Sequence, residues 1–187
     1  FVSGDALITA PTVEVTAGAT VQLTGRATLG QRGGTVTFTD GSMLAISGDA
    51  IFDGAGTLSA TQVSLSSNAT FTGAGSWALP KGKLQLYGSL DVRSGQGSVF
   101  TPSGDHRVRF VGGKAQTVTF AAGAGSFARA SVENAGDWVT FKGPMSFTSD
   151  NAPLVLAPGA RALMSGGPVD IANTIDVGKS ATLDLGA

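Results

Sequence analysis

The sequence of 187 residues contains no cysteine, which excludes disulfides, thiolate metal sites and cysteine nucleophiles together. Charged residues make up only 13% of it, about half the usual share. The 12 lysines and arginines nearly balance 13 aspartates and glutamates. The resulting net charge of −1 argues against a molecule that binds nucleic acid or a membrane surface as a whole. No apolar run approaches the roughly 18 residues of a membrane-spanning helix, and no signal-peptide pattern opens the chain. The first residue is Phe1 rather than methionine, as expected of a piece processed or excised from a longer polypeptide. Glycine is abundant at 28 residues, about twice the average share. The 42% hydrophobic content is too high for a disordered tail, and the length suffices for one domain with a core.

The segment from Thr35 to Gly48 shows the repeating unit. Two short runs, Val36/Phe38 and Leu44/Ile46, place apolar residues at i and i+2 around an Asp40-Gly41 turn, and Ala50-Ile51-Phe52 begins a third. The same pairing recurs along the chain, for example at Val63/Leu65, Leu84/Leu86, Val108/Phe110, Val139/Phe141 and Leu154/Leu156. This is strand period, and no helix-length window carries a 3.6-residue stripe. Grouped in threes, the strands fall into series with a period of about 22 residues. One runs Val13, Val36, Leu58, Leu79, Phe100; a second Val21, Leu44, Leu65, Leu86, Val108; a third Leu29, Ile51, Phe71, Val92. The pattern predicts an all-β fold, a right-handed parallel β-helix (β-solenoid) with three strands per rung, and eight or nine rungs in a rod roughly 40 Å long. The alternative is a β-sandwich. A single solenoid domain over 1–187 follows, with a seam or long loops around 93–126, at Ser94–Ser98, Thr101–Asp105 and Ala121–Gly125.

Two stretches in the second half carry a family resemblance. Val108-Arg109-Phe110-Val111-Gly112-Gly113-Lys114-Ala115-Gln116-Thr117-Val118 is followed by Phe127-Ala128-Arg129-Ala130-Ser131-Val132-Glu133-Asn134-Ala135-Gly136-Asp137-Trp138-Val139-Thr140-Phe141. This resembles the F-x-G-x-x-x-Q-T-V … F-x-x-L-x-V-x-N-x-G-x-V-x-F pattern of repeat-rich bacterial surface proteins, with Ala130 in place of Leu and Trp138 adding one residue. Leu156–Leu163 and Gly178–Gly186 resemble the coils of filamentous-haemagglutinin-like adhesins and autotransporter passengers. The resemblance covers about residues 105–187 well and the first half loosely. It implies an exported protein of the bacterial cell surface, a structural element of an extracellular fibre, filament or adhesin stalk.

Candidate sites are few. The carboxylates are scattered and mostly adjoin glycine, as turn residues do. Asp49, Asp53 and Asp91 fall near one face and are the nearest approach to the acidic cluster that a polysaccharide lyase or glycosidase needs. A non-enzymatic role is expected, with no cofactor and no metal. His106, the one histidine, reads as a solvated turn residue. Thr12, Thr35 and Thr57 suggest an outward column, with Thr37 and Ser59 in the next, of the kind that flat solenoid faces can present to ice. A basic cluster gathers Lys81, Lys83, Arg93, Arg107, Arg109 and Lys114 within one third of the chain. The register stacks Arg107 and Arg109 over Lys83 and Gln85. Lys83, Arg107, Arg109 and an outward Trp138 are therefore the candidate binding residues, for an anionic glycan or an acidic cell-surface component. Neither end carries a cap: Phe1 and Val2 at one, and Leu183 and Leu185 at the other, read as open strand, which implies head-to-tail self-association or continuation in a longer chain.

Overall fold

A computed structural model describes residues 1–30, 34–93 and 98–186. The expected loop residues Ser94–Gly97 and the terminal Ala187 lie outside the described residues. The described chain is all strand and turn, in 24 strands. In chain order they are β1 (Ala6–Ile8), β2 (Thr12–Val15), β3 (Thr20–Leu23), β4 (Ala27–Leu29), β5 (Thr35–Phe38), β6 (Met43–Ile46), β7 (Ala50–Phe52) and β8 (Ala55–Leu58). There follow β9 (Gln62–Leu65), β10 (Ala69–Phe71), β11 (Trp77–Leu79), β12 (Lys83–Leu86), β13 (Leu90–Val92), β14 (Phe100–Pro102), β15 (Arg107–Phe110) and β16 (Gln116–Phe120). The last are β17 (Arg129–Val132), β18 (Trp138–Lys142), β19 (Met145–Phe147), β20 (Leu154–Leu156), β21 (Arg161–Ser165), β22 (Val169–Ile171), β23 (Ile175–Val177) and β24 (Thr182–Asp184).

Every pairing between them is parallel and joins a strand to its equivalent one turn away, which makes the fold a β-solenoid. The first side is a nine-stranded sheet from β1 to β24, the second an eight-stranded sheet from β3 to β23, and the third runs from β2 to β14. The third side resumes through bridges at Phe100–Gly125 and Phe127–Phe147 and the pair β19–β22. Pro102, expected in a loop, is instead the last residue of β14. It has no N–H to offer the next turn, and proline in a sheet belongs on such an edge.

The short strands explain both the success of the periodicity and its slips. Each strand carries two inward positions, so a shift of two residues leaves the apolar pattern unchanged. Leu44 pairs with Val63, not Leu65, and Val108 with Leu84, not Leu86. On the third side the ladder runs Val36, Gly56, Trp77, Phe100, while Leu58 pairs with Phe38 and Leu79 with Pro102. Ile51 is the wrong residue of its strand: Ala50 and Phe52 point inward and Ile51 outward, between Thr28 and Thr70. Steps of 23 residues (Ala27 to Ala50) and 21 (Ala69 to Leu90) bracket the expected period. The step from Leu90 to Val118 is longer, 28 residues, and runs into the 93–126 region.

Corners turn on glycine because successive turns touch there. A Cβ on Gly48 would overlap the backbone of Gly25, and one on Gly25 the backbone of Gly4. The interior is aromatic as well as aliphatic. Phe52 stacks on Phe71 with ring centroids 4.4 Å apart, and edge contacts continue through Phe100 to Phe127, which stacks on Phe147. Trp77, fully buried, fits because its neighbour in the ladder is Gly56. A Cβ there would meet both the indole and the Val36 carbonyl.

The longest step is closed by buried amides. Gln116 donates to the carbonyls of Leu86 (3.1 Å) and Gly88 (2.8 Å). Asn134, on the next turn, donates to the Lys114 carbonyl (2.6 Å) and to Gln116 Oε1 (3.2 Å), and accepts from the amides of Gly136 and Asp137. These are the Q and N of the surface-protein pattern, and this is their physical role here: they bond backbone carbonyls at the end of β12 and in the turns that follow β12 and β15.

Gly56→Ala is expected to cost about 1–3 kcal/mol by overpacking. The same substitution in a Trp77→Leu background should cost less, since only the Val36 carbonyl then remains in the way. Urea denaturation of the double-mutant cycle measures this coupling, and strict additivity would mean that the indole does not require the glycine.

Candidate functional site

The outward face of the second side holds Lys83, Arg107 and Arg109. Its strands begin, in register, with Thr20, Met43, Gln62, Lys83, Arg107 and Arg129. Lys83, Arg107 and Arg129 are therefore three cations on adjacent strands, about 4.8 Å apart along the backbone. The expected stacking of Arg107 on Lys83 and of Arg109 on Gln85 is present residue for residue. Arg129 completes the column; it lies outside the basic cluster in sequence, and only the register of β17 on β15 brings it there.

The members differ in how they are held. Arg109 makes a bidentate ion pair with Glu133 through Nε (2.8 Å) and a second guanidinium nitrogen. Ser131 also donates to Glu133, at 2.8 Å. The pair is half-buried, and the bonding to Arg109 holds the Glu133 carboxyl below the usual range and the Arg109 guanidinium above its own. Arg129 donates to Ser149 Oγ (3.1 Å) and pairs with Asp105 at 3.1 Å. Among the described residues, Lys83 and Arg107 make no ion pair. Asp40 is engaged by Lys81 at 2.8 Å, which pulls its carboxyl downward.

Beside the column lies an open notch of about 370 Å³, walled by Lys83, Arg107, Arg129, Asp105 and Asp40, with Gly82 at its side. A second concavity of about 470 Å³ shares Asp105 and Arg129 and extends along the same corner to Thr148 and Asn151. Arg129 thus stands between two hollows. On the same face, Gln62 donates to Gln85 Oε1 (3.5 Å) and Gln85 donates to the hydroxyl of Tyr87 (2.8 Å), whose ring is exposed.

The other candidates are not gathered here. Trp138 opens β18 on the first side, half-buried and opposite Arg161, so the fold does not bring it to Lys83, Arg107 and Arg109. Of the acidic residues, Asp49 is bound at a corner by Ser67 (2.6 Å) and the Asn68 amide, which lower its pKa, and Asp91 binds Arg93. Among the described residues, no group of three or more histidine, aspartate or glutamate side chains is placed to share a metal ion. The threonine column also breaks, since Thr57 pairs with Thr37 while Thr35 meets Ala55.

His106 is buried, not solvated. It precedes β15 at the corner, where the equivalent positions on the neighbouring turns are Gly82 and Ala128, residues small enough to leave room for a ring. Burial pushes its pKa down to about 4, and Nδ1 has no partner among the described residues. The small neighbours were visible in the sequence, but only the register sets them above and below the imidazole.

No family model matches the chain, and neither curated proteins nor solved structures gave a match to it.

The neutral His106 sets a pH dependence. Its folded pKa of about 4 lies below the ordinary 6.5, so the unfolded chain binds more protons between these values. The stability it contributes is complete above pH 6.5 and is lost as pH falls toward 4, a loss of up to about 3 kcal/mol. Denaturant midpoints measured across this window should fall less steeply for His106→Gln than for the unaltered chain. Parallel profiles would mean that the ring becomes protonated in the folded state without penalty.

Proposed function

We propose that the chain is a structural element of a bacterial extracellular fibre or filament, or a segment of an adhesin stalk, in which solenoid turns stack on further turns at either end. The observation that carries this reading is the state of the two end turns. Columns that are almost fully buried in the middle are half-exposed there, at Ala6, Ile8, Val13, Val15 and Val21 on one side and at Val169, Ile171, Ile175 and Leu183 on the other. Phe1 (82% exposed), Val2 (46%), Val177 (49%) and Leu185 (67%) have still less cover. Among the described residues, β1 and β24 each pair on one edge only. An open edge above an apolar interior is a template for another strand of the same kind.

The role is mechanical. Continuous parallel ladders and a stacked interior stiffen the rod, and its faces remain available for contact. The resemblance of the Gln116 and Asn134 segments to bacterial surface repeats supports an exported setting. The local engagement of Asp40, Asp49, Asp91 and Glu133 supports a scaffold over a glycosidase, whose two carboxyls must face a common substrate. Where the further turns come from a second copy, the contact is heterologous and propagates.

Electron microscopy over a dilution series is expected to show end-to-end filaments with a repeat of roughly 40 Å. Ile8→Lys with Leu183→Lys, which place charges at both edges, should disperse them without lowering the solubility of the single rod. Single rods at every concentration would remove self-stacking as the function of the ends.

A further inference from the structure

We propose that the Lys83, Arg107 and Arg129 column and the notch beside it bind an anionic polysaccharide, one bearing carboxylate or sulfate groups, laid along the solenoid axis. Like charges directly opposite on neighbouring strands repel. A chain with 13% charged residues has nevertheless placed three cations in consecutive turns of one column. The nearby carboxylates do not neutralise them. Asp40 is held by Lys81 and Glu133 by Arg109. Asp105 alone pairs with the column, and its side chain is 83% exposed, the weak kind of surface ion pair. Lys83 and Arg107 face the notch and make no ion pair among the described residues.

The shape selects the class of anion. The notch and the neighbouring hollow share Asp105 and Arg129 and follow one corner across successive turns, so they form an elongated open track rather than a closed pocket. The column offers one cation per turn, which suits a linear polymer with a repeated charge. The adjoining Gln62, Gln85 and Tyr87 supply planar amides and an exposed ring, groups that bond sugar hydroxyls and cover sugar C–H faces. Arg109, committed to Glu133, positions that face and is not itself a ligand. Asp105 sets the affinity by competing for Arg129. This site does not depend on the stacking of the end turns.

The test is calorimetric titration of the chain with four probes at about 20 mM and about 150 mM salt: heparin as the sulfated polymer, polygalacturonate as the carboxylated one, dextran as the neutral one, and duplex DNA as an anionic polymer without the sugar chemistry. Binding to either anionic polysaccharide, with none to dextran, is expected, and the better of the two identifies the anion. Lys83→Ala with Arg107→Ala should weaken it by about tenfold or more, through the loss of charge-assisted hydrogen bonds. Asp105→Ala should strengthen it, and Lys142→Ala, which removes an exposed cation on the first side, should leave it unchanged. Circular dichroism of each variant separates lost binding from lost fold. The proposal is overturned if dextran binds equally, if the double variant binds as the unaltered chain does, if Lys142→Ala weakens binding as much, or if duplex DNA of matched charge binds as tightly as the polysaccharides.

Discussion

The parallel backbone ladder between successive turns is the constraint on which everything else rests. Each strand must lie one hydrogen-bonding distance from its equivalent, so each turn must reproduce the outline of the turn before it. Side chains then stack by position, whatever their chemistry. The interior columns fill with rings and aliphatic groups, and the corner column keeps glycine where two backbones meet. An unusual residue is accepted only where a neighbour yields. Gly56 yields to Trp77, and Gly82 and Ala128 leave space for His106.

The same rule turns a sparse charge distribution into a local concentration. Residues 83, 107 and 129 are far apart in the chain, and stacking brings them to one strand spacing. The electrostatic character of a solenoid face is a property of columns, and a net charge of −1 conceals a strongly basic strip. The strip is graded: Arg109 is tied down by Glu133, Arg129 is loosely paired, and Lys83 and Arg107 are open.

Architecture was legible in the sequence because alternation and period are carried by many residues at once. The Lys83–Arg107 and Gln85–Arg109 stacking was expected as well, although the series that set Val108 beside Leu86 lies two residues out of that register. What was not legible depended on single positions. Gly56 interrupts an apolar series, so pattern alone passes over it and over the tryptophan it accommodates. Ile51 is more apolar than Ala50, yet the smaller residue faces inward because Ala27 and Ala69 share its column. His106 looks like a turn residue, and its turn is real, but a corner can face the interior. Arg129 lacked a signal of its own, since its place is set by the register two turns away from Lys83. Trp138, expected to face outward, alternates with the buried Val139, but an outward direction does not say which side of the solenoid a strand occupies.

The buried amides of Gln116 and Asn134 have a consequence for how the coil is assembled. Apolar columns repeat every two residues, so a turn added two residues out of phase buries nearly the same surface as the correct one. Gln116 and Asn134 break that degeneracy. Their bonds reach the carbonyls of Leu86, Gly88 and Lys114 only in the native phase, and a slipped turn would bury the same amides without partners. The pair acts as a key in a keyway: it adds little to the bulk of the core, but it admits one alignment of the halves of the rod and rejects its near copies.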